Sequence, residues 1–306
     1  MEDHQHIANT YWTLRLGIVA MVVFLFLSLF FLIGVVNDWE WGSLLDWHLL
    51  ESISSYWYTP ARPAFVGTLF AVGMALIVYR GNSESENFLL NFAGFVAFLI
   101  AVIPTQNDPN VPDNDDIGFV GCQDYCTGLD DELTALSMTT IAAALLTVAL
   151  LAFVVALIVR RGSGKNNGET FDPWALLTIE VTGALLVVFA LLLWLFPETI
   201  IEHGHNVAAA TFFLAIIVDV WVNAISYARN KRRPLSQALI HIRGRNRYMD
   251  IALLMLGVLL VTLLAELFNV PWLSIFWLEV VLISLFGVYW VYQTMDLRGR
   301  PVRPMS

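Results

Sequence analysis

The chain has 306 residues, of which 58% are hydrophobic, and a mean hydropathy of +0.68. This composition excludes an ordinary water-soluble domain and favours a single membrane-embedded domain covering residues 1–306. The formal net charge of −10 averages over acidic and basic segments that occupy different connections, so it predicts no nucleic-acid partner.

Eight apolar segments each approach the roughly 20 residues that a helix needs to cross hydrocarbon. Closed barrels need short alternating strands instead, and the sequence has no such pattern. We therefore predict an all-α, polytopic membrane bundle of eight transmembrane helices. The segments are Leu14 to Val36, Pro63 to Tyr79, Phe88 to Pro104, Leu133 to Val159, Trp174 to Phe196, Val207 to Tyr227, Met249 to Phe268 and Trp272 to Tyr292.

The basic residues indicate the orientation of these helices. With a cytoplasmic N-terminus, fifteen of the 16 Lys and Arg residues fall on the inner side, and Arg62 alone lies outside. Cytoplasmic loops of membrane proteins carry such an excess of positive charge. We therefore predict an even number of crossings in the cell membrane, with the N-terminus and C-terminus both cytoplasmic.

Cys122 and Cys126 lie in the outer loop of this topology. Because an extracytoplasmic compartment permits oxidation, we predict a local disulfide between them. Two thiols without a second pair or a nearby His do not favour zinc. No metal or other cofactor is predicted.

Four acidic residues fall within the predicted spans, where an ionised group is costly and usually functional. Helix rise places Glu180 about 9 Å and Asp219 about 12 Å from the inner edge, in one layer. They could share a proton and support proton-coupled transport, or only hydrogen-bond neighbouring helices. The other two embedded acids are Glu266 and Glu279.

The inner connection at 229–247 carries Leu235, Ala238, Leu239 and Ile242 at i, i+3, i+4 and i+7 between basic residues. This spacing predicts a short interfacial helix. Its charges would contact anionic lipid headgroups, either as an anchor or as a regulatory site. Membrane lipids are therefore the predicted partners.

Arg62 is the only external cation able to pair with Glu279, which helix rise places roughly 10 Å below the outer surface. An ion pair between them would hold two helices together. The neighbouring His203 and His205 are two residues apart and do not share a helix face, which disfavours a zinc site.

Several motifs together resemble an uncharacterised family of prokaryotic multipass membrane proteins, and more distantly the six-helix DRAM-like membrane proteins. They are Ser52-Ile53-Ser54-Ser55-Tyr56-Trp57-Tyr58-Thr59-Pro60-Ala61-Arg62, Phe65-Val66-Gly67, Tyr79-Arg80-Gly81, Asn91, Ala93-Gly94, Pro104-Thr105, the run from His205 to Leu214, Arg245-Asn246-Arg247-Tyr248, Phe276-Trp277-Leu278-Glu279, Phe286-Gly287 and Trp290.

The resemblance implies a six-helix core at 14–105 and 205–293, into which an outer loop and a helix pair at 106–200 are inserted. The chain departs from the family at Pro63, where an acid more often follows the Arg. No reaction is established for that family. The resemblance favours five residues at the outer side as a ligand-binding set, namely Ser54, Tyr58, Arg62, His205 and Glu279.

Three functions of different classes remain open. We favour a non-catalytic binder of a lipid or small amphiphile in an outward-facing polar pocket, where Arg62 contacts an anionic head. A proton-coupled transporter would use Glu180 and Asp219, although Pro-free helix interiors give no sign of broken helices. A membrane-embedded hydrolase would use His205 or Glu279 as general base, but no nucleophile motif accompanies them.

Overall fold

The computed structural model describes residues 2–36, 39, 49–103, 105, 196–230, 246–268, 270 and 274–300, with scattered helical residues between 140 and 158 and between 184 and 195. Every regular element in these residues is a helix. The all-α prediction is confirmed for this part of the chain. Cys122, Cys126, Glu180 and most of the connector at 229–247 lie outside the described residues.

Six α-helices and one 3₁₀ helix, η1, make up the described bundle. They are α1 (Glu2–Val36), η1 (Ser54–Tyr58), α2 (Arg62–Val78), α3 (Glu84–Val102), α4 (Pro197–Asn230), α5 (Arg247–Phe268) and α6 (Ile275–Asp296). Five of them, all except α2 and η1, are long and apolar enough to cross a membrane. Helix α2 is a shorter apolar helix of 17 residues. The six coincide with six of the eight predicted segments.

Two helices begin far before their apolar segments, by about three turns each. Helix α1 starts at Glu2, and α4 starts at Pro197 and takes in His203 and His205. The predicted apolar segment starts at Val207, and His203 and His205 were placed at the entry of that helix. The difference has a physical reason, because hydropathy marks where a helix enters hydrocarbon, whereas the backbone stays helical into polar sequence. Pro197 also suits the first helical position, where its missing N–H is not needed.

Local sequence accounts for the start of α3 and for its packing. The Ser83 side chain caps the helix by accepting from Glu86 N–H at 3.2 Å, as in a capping box. Further along, α2 and α3 approach closely through two glycines. A Cβ added to Gly73 would lie 2.7 Å from the carbonyl oxygen of Gly94. Small residues at a crossing point allow such close helix contact in membranes.

The six helices form a closed ring. Each contacts its neighbours in chain order, from α1 to α2 and onwards to α6, and α6 returns to α1. The outside of the ring exposes large apolar side chains such as Phe31 (57%), Leu254 (57%) and Leu267 (73%). Polar side chains such as Arg15 and Asp219 are buried within it. This distribution suits a bundle surrounded by lipid.

The ends of the ring are called here the Trp57 end and the Arg15 end, after the buried residue that marks each. His205, early in α4, bonds to Ile103 directly after α3 at the Trp57 end. The chain between residues 105 and 197 therefore returns to the end of the bundle that it left. An inserted pair of crossings meets this requirement, whereas a single crossing does not.

Candidate functional site

Two polar clusters occupy opposite ends of the ring. The Trp57 end contains the five residues predicted from the sequence motifs, and η1 contributes two of them, Ser54 and Tyr58. This 3₁₀ helix closes the end of the bundle, with Ser54, Tyr56 and Trp57 buried. Burial raises the pKa of Tyr56 to about 12, so its hydroxyl stays protonated.

Glu279 in α6 holds the start of η1. Its carboxylate accepts from the backbone N–H of Ile53 at 2.5 Å and from Ser54 Oγ at 3.5 Å. Phe276 N–H in turn donates to the carbonyl of Glu51 at 2.8 Å. A carboxylate beside the exposed N–H groups of a helix start is favourable. Ser54 and Glu279, two members of the predicted ligand-binding set, are thus in contact, and the evident effect of the contact is to fix η1 to α6.

Tyr58 and His205 both bind the carboxyl end of α3. Tyr58 OH donates to Thr105 O at 2.7 Å, and His205 Nδ1 bonds to Ile103 O at 2.5 Å. Trp57 Nε1–H donates to Ala101 O at 3.2 Å. The last carbonyls of a helix have no partner within the helix and need such donors. These three side chains therefore cap α3.

The bond to Ile103 also fixes the His205 tautomer. A carbonyl only accepts, so Nδ1 carries the proton and Nε2 of the neutral ring is an acceptor. Nε2 is buried and has no hydrogen-bond partner within the described part of the chain. No group of three His, Cys, Asp or Glu residues able to hold a metal occurs among the described residues.

Arg62 does not form the predicted ion pair with Glu279 within the described residues. Its guanidinium carbon instead lies 3.5 Å from the ring centre of Trp57, a cation–π contact. The reason is that Glu279 is already engaged by η1. Arg62 is partly exposed at the first position of α2, where the helix end carries partial positive charge.

An apolar groove runs between α1 and the start of α2, where Ala61 and Pro63, the chain neighbours of Arg62, line it. It has a volume of about 350 Å³. On the α1 side, Ser28 is the one polar lining residue, and its hydroxyl already donates to Phe24 O at 2.8 Å. The groove is lined by Phe24, Ser28, Leu32, Pro60, Ala61, Pro63 and Ala64.

The Arg15 end contains a second cluster, in which ionisable groups are fully enclosed. Asp219 in α4 and Arg15 in α1 are 0% exposed, and Glu86 in α3 is 1% exposed. Arg15 donates to the hydroxyl oxygen of Tyr79 through Nε at 3.2 Å and Nη2 at 3.1 Å. Buried charges of this kind persist only when paired or hydrogen-bonded.

Glu86 is surrounded by donors. One carboxylate oxygen accepts from Asn82 N at 2.5 Å and Asn82 Nδ2 at 2.9 Å. The other accepts from Asn223 Nδ2 at 3.0 Å and Gln293 Nε2 at 3.2 Å. Four N–H donors, from the α2–α3 connection, α4 and α6, thus satisfy both of its carboxylate oxygens.

Asp219 has fewer hydrogen-bond partners than Glu86. Its Oδ2 accepts from Tyr289 OH at 2.7 Å, while its Oδ1 is buried without a hydrogen-bond partner among the described residues. Asn223 Nδ2 lies 3.1 Å from the same Tyr289 oxygen. Asn223 therefore connects the Glu86 and Asp219 carboxylates through one amide and one phenol.

Sequence reasoning selected Asp219 but missed Glu86. Glu86 lies two residues before the predicted apolar segment that starts at Phe88, so it was not among the acids that we identified within the spans. The spacing of other polar residues in the spans did contain a signal for this cluster. Asp219 and Asn223 are four residues apart, as are Tyr289 and Gln293, so each pair lies on one helix face. Glu266, the remaining embedded acid in the described part, is exposed on α5.

No protein-family model, curated protein or solved structure matches the chain. The family resemblance stays an expectation, and the function is inferred from geometry and charge.

Proposed function

We propose that this is an integral membrane protein that binds an anionic lipid or a similar anionic amphiphile, without catalysis, at the Trp57 end. The observation that carries the proposal is the position of Arg62. Arg62 is partly exposed at the start of α2, and its chain neighbours on both sides, Ala61 and Pro63, line an apolar groove together with Pro60 and Ala64. A positive group beside an apolar channel suits a ligand with an acidic head and a hydrocarbon tail.

The groove has dimensions suited to an acyl chain. Its α1 wall extends from Phe24 to Leu32, which is about 12 Å along a helix at 1.5 Å per residue. One leaflet of the hydrocarbon core is about 15 Å thick, half of the whole. An acyl chain lying along α1 would thus contact the protein through most of one leaflet, with the head of the lipid at Arg62.

The head would meet two favourable features. Arg62 presents a planar fork of N–H groups that matches phosphate or carboxylate oxygens, and stacking on Trp57 restrains that fork. The N-terminus of α2 adds partial positive charge at the same position. In this proposal Ser54, Tyr58, His205 and Glu279 position η1 and α3, and thereby Arg62, instead of contacting the ligand.

The proposed topology places this site on the outer surface. Eight transmembrane helices with both termini cytoplasmic would put the Trp57 end outside and the Arg15 end in the cytoplasm, since all Lys and Arg except Arg62 then lie inside. The basic connector at 229–247 would contact anionic lipids of the inner leaflet. The cell membrane is the proposed location.

A hydrolytic function has less support. Its two candidate bases make structural contacts, Glu279 with η1 and His205 with the end of α3. Ser54 Oγ does lie 3.5 Å from Glu279, but Glu279 also accepts from Ile53 N–H, and neither His nor metal orients it within the described residues. We therefore propose a binding protein.

The test uses native mass spectrometry of the full-length protein titrated with phosphatidylglycerol or phosphatidylcholine. Arg62→Gln should weaken phosphatidylglycerol binding roughly 10- to 100-fold, as expected for a lost charge-assisted contact worth about 1.5–3 kcal/mol. Arg298→Gln, at an exposed Arg of the opposite end, is the matched control and should bind normally. Equal binding of both lipids, unaffected by Arg62→Gln, would remove the proposal.

The groove is tested separately by Ala64→Trp, which would place a large ring in the space for the chain. This variant should lower binding of both lipids, because it blocks the tail and not the head. A loss confined to the anionic lipid would contradict the assignment of the groove to the tail.

A further inference from the structure

The second cluster, at the Arg15 end, has no role in the lipid site and is separated from it by the length of the bundle. It contains two carboxylates and one guanidinium, all buried: Glu86, Asp219 and Arg15. If all three were ionised, the interior would hold one uncompensated negative charge. Such a charge inside a membrane protein is costly and usually marks an ion or proton site.

The hydrogen bonds distinguish the two carboxylates. Glu86 receives four N–H donors, two on each carboxylate oxygen. Asp219 receives one bond, from Tyr289 OH, and its Oδ1 is buried without a partner among the described residues. A proton on Oδ1 would remove the excess charge and give that oxygen something to donate.

We propose that Asp219 is an exchangeable proton-binding site in the cluster that also contains Glu86 and Arg15. The titratable groups facing Asp219 are Glu86 from α3 and Tyr289 from α6, with Tyr79 and Arg15 in the same cluster. From α5, Tyr248 packs its ring 6.0 Å from that of Tyr289. The inference does not depend on the lipid site.

Two features would let the proton exchange or be sensed. Asn223 bonds both to Glu86 and to the Tyr289 hydroxyl, so a change at Asp219 alters the donors available to Glu86. The cluster also joins four helices and the α2–α3 connection. Release of the proton would place two anions in one enclosed network, and the helices that carry them would repel.

The test is infrared difference spectroscopy of the full-length protein in nanodiscs during a pH titration. A band from the C=O stretch of a protonated carboxyl should disappear as the pH rises, and it should be lost in Asp219→Asn. Glu84→Gln, which changes a partly exposed acid two residues before Glu86, is the control and should keep the band. A band of unchanged intensity in Asp219→Asn would overturn the assignment, and Glu279→Gln identifies any part of the band that comes from the Glu279 carboxyl.

Two further results decide the remaining alternatives. If Asp219→Asn does not fold, Tyr289→Phe should shift the frequency of the band, because the phenol contacts the same carboxyl; an unshifted band would exclude the site. Titration with NaCl at constant pH should leave the band unchanged. Displacement of the band by sodium ions would show a cation site in place of a proton site.

Discussion

Replacing Glu86 with alanine should be the most damaging single substitution at the Arg15 end of the bundle. The change removes the carboxylate that accepts hydrogen bonds from Asn82, Asn223 and Gln293. All three of these residues are buried. Each buried donor left without a partner costs about 1–3 kcal/mol. The change also removes a countercharge for Arg15, and breaking a buried charge network typically costs about 3–5 kcal/mol.

Because neighbouring groups relax and the individual terms are not additive, we expect a loss of about 4 kcal/mol in the free energy of unfolding. Glu86→Gln keeps the shape but turns one acceptor into a donor, and should cost about 2 kcal/mol. Reversible unfolding in mixed detergent micelles measures both. Glu84→Ala, in the same first turn of α3, is the control and should lose less than about 1 kcal/mol.

The reasoning would be refuted if Glu86→Ala and Glu84→Ala had equal effects, because burial and hydrogen bonding are what separate the two residues. A second outcome would change the interpretation, namely a loss in the free energy of unfolding that is as large for Glu86→Gln as for Glu86→Ala. It would mean that the charge, and not the four hydrogen bonds, supplies the stabilisation.

Three other substitutions test the packing and the capping contacts. Gly94→Val should lower the unfolding temperature, with a cost of about 1–3 kcal/mol, because its side chain would meet the backbone of α2; Gly257→Val, at an open position of α5, should change it far less. His205→Ala should destabilise by about 1–3 kcal/mol, since it leaves a carbonyl at the end of α3 without its donor. Tyr58→Phe should cost about 1 kcal/mol by thermal unfolding, and no change would mean that its hydroxyl bond is replaced by water.

The helices could be predicted from the sequence because a lipid-facing surface needs long apolar runs, and such runs are visible without any partner. The residues at which the helices begin could not be predicted in the same way. Helix α1 extends through polar residues to Glu2, where hydropathy carries no information about the backbone. The distribution of Lys and Arg predicts an even number of crossings, and this number stays a prediction.

The clusters were only partly predictable. Tyr58, Arg62 and His205 were identified as polar residues near the outer side, but the sequence gives no sign that two of them bind the carbonyls after α3. Those acceptors are backbone atoms. Glu86 was missed because its burial depends on Asn223 and Gln293, which are more than a hundred residues away. Sequence position reports depth in the membrane and does not report which long-range partners enclose a side chain.

The most direct test of the lipid-binding account is a density map of the full-length protein in nanodiscs that contain phosphatidylglycerol. The account predicts an elongated density along Phe24, Ser28 and Leu32 that ends in a compact head beside the Arg62 guanidinium. A groove filled only by protein side chains, or a lipid whose head lies away from Arg62, would contradict it.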